Sequence, residues 1–330
     1  MIKHLGPHAL STLLDLFNNS WRTGCVPEVW KEAHIISIHK KGKSKTDQIS
    51  YRPISLISCV GKLLEKIINK RLMYHLETNG IISPTQSGFR KNKATEDQLT
   101  YFVQNIEIAF QEQKSMLSVF FDFTAEYATT ANVRVQATVD KVFKWSQDWG
   151  LTIDLNKTVT TKFSLKAKER DVTLTMNGQP LPTEDTPTFL GITLDKRLTW
   201  KPHIQKINQK AMRRSQIMKK KLSGTKWGAN SKILRQVYQG YIRPVMEYAS
   251  PAWSTAATSN LTSLSKTQNQ NLRIALGAIK STPIKELHKQ AKMDTLENRR
   301  EQRTLTLYEK SKRNPTHPLH NILKRKQKTD

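Results

Sequence analysis

HIISIHKKGKSKTDQISYRPISLISCVGKLLEKIINKRL occupies residues 34–72 and combines two extended segments, a basic loop and a helix. The short β-branched run at 33–38 predicts a strand. The polar, basic residues 40–48 predict an exposed loop. A proline biases the residue before it away from the helical region, so 50–58 is expected to be extended. From 61 to about 78 the apolar residues recur at helical spacing until an Asn-Gly pair ends the helix.

Strand-like and helix-like segments continue to alternate as far as about residue 200. We expect helices near 95–113, capped by Thr95, and 133–149, and strands near 116–123, 159–165, 172–181 and 188–195. The Asn-Gly pair at 177–178 predicts a hairpin turn. After Trp200 every segment has helical periodicity, and we expect helices near 202–222, 229–247, 259–278 and 284–312. The predicted class is α+β, with an antiparallel sheet followed by an all-helical domain.

The charge balance points to a polyanionic partner. The chain has 330 residues, of which 54 are Lys or Arg and 27 are Asp or Glu, so the formal net charge is +27. At roughly 150 residues per domain, this length suggests about two domains or one large fold of several parts. The excess of positive charge argues against an ordinary metabolic enzyme and favours nucleic acid or an acidic membrane surface as the partner.

The sequence lacks the patterns typical of membrane, secreted, disulfide-rich and metal-binding proteins. No apolar run approaches the roughly 18–20 residues of a membrane span, and no signal-peptide pattern is visible at the N-terminus. Cys25 and Cys59 are too isolated to predict a disulfide framework or a Cys-x-x-Cys zinc site. His34 and His39 flank a predicted strand with poor spacing for a metal. We therefore expect an intracellular protein, in the nucleus, the cytoplasm or both.

The most basic helical segment is 201–222, which has eight Lys or Arg residues and no acid. Exposed helices usually gain from mixed charges four residues apart, so the absence of acids favours phosphate contact over a merely solvated face. The residues predicted to contact a nucleic-acid backbone are Lys206, Lys210, Arg213 and Arg214. The basic tail at 313–330, expected to be loose and to include His317 and His320, fits a disordered end, a nucleic-acid arm or a nuclear-localisation signal.

A series of motifs resembles the reverse transcriptases of non-LTR retrotransposons, most closely those of jockey-type elements. The stretch 34–72 is followed by QSGFRKNKATEDQL (86–99), SVFFDF (118–123), WGLTIDLNKT (149–158) and FLGITLDKRLTWKPHI (189–204), in the order found in that family. The resemblance covers nearly the whole chain. It implies a right-hand polymerase with fingers-like residues 1–115, a truncated palm-like region 116–200 and a helical thumb-like region 201–312 before the tail.

The resemblance also implies roles for particular residues. Lys40, Lys41 and Arg52 match fingers motifs that contact template and incoming nucleotide. The next fingers motif is matched by Gln86 and Arg90, together with Gly88 and Phe89. Asp122 matches the first palm aspartate, a ligand of catalytic Mg²⁺. The implied partners are an RNA template and DNA or an RNA–DNA hybrid. Polymerisation needs two Mg²⁺ ions about 3.5–4 Å apart, held by clustered carboxylates.

The sequence departs from the family at the palm. FFDFT (120–124) runs directly into AEYATT, and no Asp-Asp dipeptide occurs in the chain. We therefore expect an internal deletion near Thr124 and an inactive polymerase, because Glu126, Asp140 and Asp154 do not supply paired acids on a turn.

Three interpretations remain open at this point. The chain is a truncated reverse-transcriptase-family polypeptide, a non-catalytic basic remnant that binds nucleic acid, or a non-functional pseudogene product. The chain is also expected to be part of a longer polyprotein of the element.

Overall fold

The computed structural model describes residues 4–121, 123–124, 135–155, 157–166, 173–224 and 228–326. The chain divides into two compact units, residues 1–86 and 87–330. The boundary falls within the region that the sequence assigned to a single fingers-like segment, 1–115.

The first unit places a β-hairpin among helices. Its elements are α1 (Pro7–Thr23), α2 (Glu28–Lys31), β1 (His34–His39), β2 (Tyr51–Leu56) and α3 (Cys59–Thr78). These confirm the strand, the extended segment and the helix predicted from 34–72. The strands pair antiparallel with Ile36 opposite Ile54. α3 begins where the side chain of Ser58 accepts a hydrogen bond from the Gly61 amide, which satisfies an otherwise unpaired N–H of the first turn.

The second unit begins with a mixed region of helices and short antiparallel strands. Its elements are α4 (Thr95–Gln111), β3 (Met116–Phe120), β4 (Phe123–Thr124), α5 (Val135–Asp148), β5 (Thr152–Ile153), β6 (Val159–Phe163), β7 (Thr175–Met176), β8 (Gln179–Pro180), β9 (Thr188–Phe189) and β10 (Ile192–Thr193). The described strands pair as β3–β6, β4–β5, β7–β8 and β9–β10. The antiparallel class is confirmed, although the strands form separate two-stranded ladders and not one sheet.

Three details of this region correct or confirm predictions made from the sequence. The segment 188–195 was predicted as one strand and is a hairpin, because Leu190 and Gly191 both take left-handed φ values, 46° and 86°. The turn predicted at 177–178 is confirmed, with φ of 51° at Asn177 and 74° at Gly178. Two consecutive left-handed residues match the right-handed twist of the strands that they join. The cap expected at Thr95 is wrong, because Ala94 is the N-cap residue.

From 201 onward the described chain contains helices and no strand. The elements are α6 (Lys201–Ile217), a π-helical turn (Met218–Leu222), α7 (Ser231–Val237), a second π-helical turn (Tyr238–Ile242), α8 (Arg243–Glu247), α9 (Thr258–Leu276), α10 (Ile284–Ala291), α11 (Leu296–Arg313) and α12 (His320–Lys326). The single helix predicted at 284–312 is two helices. The chain turns at Lys292, which has a left-handed φ of 52°, and restarts where Thr295 caps α11.

The main core of the second unit lies between α4 and the helical region. Trp200, Tyr238 and Trp253 are fully buried there, together with Leu99 of α4. The tail was expected to be loose, but α12 is folded, and Leu319 and Ile322 pack with Leu307, Tyr101 and Ile108. The apolar residues of the α12 region cover too few positions for their spacing to predict a helix from the sequence. No helix in the described parts of the chain has the length and apolarity to cross a membrane.

Candidate nucleic-acid interface

α6 has one buried face and one cationic face. The residues that it buries are His203, Ile204, Ile207, Ala211 and Ser215. On the solvent side, Lys206, Lys210 and Arg213 are exposed. Their spacing of four and then three residues places them on one stripe of the helix. The three positive charges therefore face the same region of solvent.

The cations of 201–222 are not neutralised by acids within the described part of the chain. None of the ion pairs formed there includes a Lys or Arg of this segment. The buried carboxylates are engaged elsewhere. Glu247 receives a 3.0 Å hydrogen bond from Arg299, and Arg303 bridges it to Glu96. The positive charge of α6 is therefore available to an external polyanion.

The four predicted backbone-contact residues fall into two groups. The Lys206 ammonium lies 3.1 Å from Oγ1 of Thr193, which ties it to the β9–β10 hairpin. The Arg214 guanidinium stacks 4.3 Å from the centre of the Tyr241 ring and donates to the Tyr241 carbonyl. Lys210 and Arg213 are exposed and have no such attachment among the described residues. The second pair is thus the freer one for phosphate contact.

Three of the predicted fingers residues lie on the β1–β2 hairpin of the first unit. The Lys40 amide donates to the Ser50 carbonyl at 2.7 Å and closes the basic loop at its base. The Tyr51 hydroxyl donates to the Lys45 carbonyl at 2.9 Å and holds the loop's far side. The side chains of Lys41 and Arg52 are exposed. The cationic loop predicted from the sequence therefore exists as a folded turn, in which Lys41 is exposed and Lys40 is half-buried.

The other predicted fingers residues lie on either side of the point in the chain where the first unit ends and the second begins. Gln86 is exposed and is the last residue of the first unit, whereas Arg90 is half-buried in the second unit. Between them, the Ser87 hydroxyl donates to Oε1 of Gln98 at 3.0 Å. Phe89 is fully exposed.

The predicted catalytic and metal-binding residue, Asp122, lies outside the described residues, as does Glu126. Of the other acids considered, Asp140 accepts a 2.8 Å hydrogen bond from Gln136, and Asp154 pairs with Lys157 at 2.5 Å. Within the described ranges, no three His, Cys, Asp or Glu side chains are grouped closely enough to hold a metal ion. The described residues alone do not fit a two-Mg²⁺ centre.

Sequence reasoning missed a buried polar cluster that fixes the start of α4. Asp97 is buried and its Oδ2 accepts hydrogen bonds from the Ala94 amide at 2.8 Å and the Lys310 ammonium at 2.6 Å. Nε2 of His317 lies 3.2 Å from its other oxygen. Because Lys310 and His317 are more than 200 positions away along the chain, no local pattern could have indicated them.

A family model described as "Reverse transcriptase (RNA-dependent DNA polymerase)" matches residues 38–130. The probable RNA-directed DNA polymerase from transposon BS of Drosophila melanogaster is 23% identical, over 98% of this chain and 46% of its own length. The RNA-directed DNA polymerase from the mobile element jockey of the same species is 37% identical over 43% of this chain and 14% of its length. A retrovirus-related Pol polyprotein from the type-1 retrotransposable element R1 of Bradysia coprophila is 33% identical over 31% of this chain and 10% of its own length.

The resemblance to reverse transcriptases of non-LTR mobile elements is therefore confirmed. The chain spans less than half the length of these curated relatives. Its alignment with the BS protein extends over 426 positions. Because the whole chain has only 330 residues, at least 96 of those positions (426 minus 330) are gaps in this chain. The relative thus contains a substantial amount of sequence without a counterpart here.

Proposed function

We propose that this chain binds the phosphate backbone of RNA, DNA or an RNA–DNA hybrid through the exposed cations of α6, and that it does not polymerise nucleotides. The observation that carries the proposal is the cationic stripe of Lys206, Lys210 and Arg213, which faces solvent without an ion-pairing acid among the described residues. Each neutralised phosphate releases condensed counterions, so such binding is salt-dependent and largely independent of sequence.

We propose the finer architecture by analogy with reverse transcriptases. The first unit and the start of the second correspond to fingers, 116–200 to a shortened palm, and the helices after 201 to a thumb. The change from short strands to helices at 201 supports this division. In a right-hand polymerase, α6 then lies in the part that follows the backbone of the template–primer duplex. Lys40, Lys41, Arg52, Gln86 and Arg90 are proposed as secondary template or nucleotide contacts.

Loss of catalysis is supported by the sequence and its alignment with a relative, and not by the geometry of the site. The alignment with the BS protein contains at least 96 gap positions in this chain, and the sequence has no Asp-Asp pair. We place the missing segment directly after Thr124, where the first palm strand meets AEYATT. Without a second acid beside Asp122, the two Mg²⁺ ions that activate the primer hydroxyl and stabilise the leaving pyrophosphate have no complete ligand set.

A second candidate is that the chain is a non-functional product of a decayed element. The R1 relative is named as a polyprotein. If this chain is likewise part of a longer polyprotein, its nucleic-acid binding would act together with the other parts of the element. We propose an intracellular site of action, in the nucleus, the cytoplasm or both, because the proposed partners are there.

The proposal is tested with the purified full chain and fluorescently labelled RNA, single-stranded DNA and duplex of mixed sequence. Fluorescence anisotropy should give binding at 50 mM salt that weakens by about 10³- to 10⁵-fold at 200 mM if six to ten phosphates are contacted. Affinity should change little between two unrelated sequences of equal length. Absence of binding at 50 mM salt by a folded chain would favour the non-functional product.

A further inference from the structure

Phe89 has an unusual position for an aromatic residue. Its side chain is as exposed as in an extended peptide, with a relative accessibility of 105%, and its φ of 58° lies in the left-handed region. Phe normally contributes a large apolar area to a core. Non-glycine residues with positive φ are uncommon, and bulky residues there are outliers that warrant a functional explanation. Phe89 therefore combines an unfavourable backbone conformation with a ring that the described residues leave uncovered.

The 87–94 loop that contains Phe89 is attached to its surroundings at both ends. Ser87 donates to Gln98, as described above, and the Ala94 amide donates to buried Asp97. The Lys93 ammonium donates to the Thr316 carbonyl at 2.6 Å, which links the loop to the segment before α12. The exposure of Phe89 is thus a property of a loop with fixed ends.

The residues that follow Phe89 in the chain are cationic. Arg90 and the exposed Lys91 follow it directly in sequence, and no acid occurs between 87 and 95. An exposed aromatic ring beside positive charges is the combination by which proteins hold single-stranded nucleic acid. The ring stacks on a base while the cations attract the backbone. A paired base inside a duplex offers no free face to such a ring.

We propose that Phe89 stacks on an unpaired base of a single-stranded RNA or DNA segment. The inference rests on the proposed function, because it assumes that the chain binds nucleic acid. It adds a second contact of a different kind, which depends on the face of a base and not on phosphate charge. Since every base has such a face, the contact selects single strands over duplexes without selecting a sequence.

The test compares Phe89→Leu and Phe89→Trp in the full chain. Leu keeps an apolar side chain without an aromatic face, and Trp keeps the face. The probe is a 12-nucleotide single strand with a central 2-aminopurine, whose fluorescence falls when the base stacks. We expect Phe89→Leu to weaken single-strand binding by about 5- to 100-fold and to abolish the quenching, because base–aromatic stacking has an effect of that size. Phe89→Trp should retain both, and the salt slope should stay unchanged.

Two controls separate stacking from other effects. Trp149→Leu removes another exposed aromatic, 61% accessible at the end of α5, and should leave single-strand binding unchanged. Duplex affinity should be the same for the wild-type chain and Phe89→Leu. Equal single-strand affinity of the wild type and Phe89→Leu would overturn the stacking contact and leave backbone binding intact. Equal losses on single strand and duplex would also overturn it. A wild-type chain that binds no probe would overturn the proposed function itself.

Discussion

Nζ of Lys310 lies 2.6 Å from Oδ2 of Asp97 and joins residues 213 positions apart. The contact fastens α11 to the first turn of α4. On the other side of the carboxylate, Nε2 of His317 lies 3.2 Å from Oδ1, and Nδ1 of His317 accepts the Leu319 amide. That acceptor role leaves the ring proton of the neutral imidazole on Nε2, facing Asp97. The segment before α12 is thus attached to the helix that follows the 87–94 loop.

Asp97 remains ionised in this cluster. Burial by itself raises the pKa of its carboxyl group, but contacts with His317, Lys310 and the Ala94 amide outweigh burial, so the pKa lies below the ordinary value of 3.8. A carboxyl group whose pKa is lowered by folding stabilises the protein above pH 3.8, and that contribution is lost as the pH falls towards the folded-state value.

Asp97→Asn should destabilise the second unit by about 1.5–3 kcal/mol, because it removes charge-assisted hydrogen bonds and leaves the Lys310 ammonium without its partner. Urea unfolding followed by circular dichroism at pH 7 measures the change. The matched control is Glu309→Gln, which breaks an exposed pair with Arg313 and should cost under about 0.5 kcal/mol. Equal effects of the two substitutions would show that the buried cluster does not stabilise the fold.

The protein should lose stability in mild acid because His203 is buried. The ring is buried near Trp200 and Trp253, and its Nε2 has no hydrogen-bond partner among the described residues. Burial, with a smaller contribution from the charge of Lys206, lowers its pKa from 6.5 to about 4. The unfolded chain therefore binds a proton between pH 6.5 and 4 that the folded chain does not. Stability should fall by about 2–3 kcal/mol between pH 7.5 and 4.5 through this group.

Urea unfolding of the wild type and His203→Gln at several pH values isolates that contribution. The difference between their unfolding free energies should shrink towards acid pH by the stated amount. A difference that stays constant from pH 7.5 to 4.5 would mean that His203 is protonated equally in both states.

Arg214 and Lys210 should behave differently although both were predicted to contact phosphate. Arg214→Gln should lower stability by about 1 kcal/mol, because it removes the stacking on Tyr241 and the bond to its carbonyl. It should change the salt slope of binding by less than one unit. Lys210→Gln should lower the slope by about one unit with stability unchanged. Thermal unfolding and anisotropy titrations check both, and reversed results would exchange the assigned roles.

Primer extension tests the proposed loss of catalysis. The purified chain with Mg²⁺, a primed RNA template and nucleotides should give no product above background, since the proposed function has the palm segment after Thr124 missing. Asp122→Asn is the control and should match the wild type. Extension by the wild type that disappears in Asp122→Asn would contradict the proposal and indicate that another acid completes the metal site.

Local patterns in the sequence predicted most of the helices and strands, but few of the breaks within them and few of the contacts between distant segments. The Asn177-Gly178 turn, α3 and α9 follow from residue preference and helical spacing, which act over a few positions. The break at Lys292 was missed because Lys carries no turn preference and the apolar spacing continues across it. The folded segment at 313–326 was missed because its order depends on burial of His317 beside Asp97, a contact from a distant part of the chain.

In the candidate interface, too, the sequence predicted local features and missed contacts between distant residues. The basic segment 201–222 and its missing acids are visible in the sequence, and the structure adds which cations are free. Nothing in the sequence distinguishes Arg214 from Arg213, because the stacking partner Tyr241 comes from another helical segment. Nor does it indicate that Phe89 is exposed, since an isolated Phe usually packs inside a protein.

The central claim is that α6 binds the nucleic-acid backbone, and the salt dependence of a double variant tests it most directly. Lys210→Gln with Arg213→Gln keeps helix propensity and should leave folding unchanged. The control is Lys280→Gln with Lys285→Gln, two exposed lysines elsewhere in the same unit, which removes the same charge. The slope of log affinity against log salt should fall by about two units in the α6 variant and by much less in the control. An unchanged slope in the folded α6 variant, or an equal fall in the control, would contradict the claim.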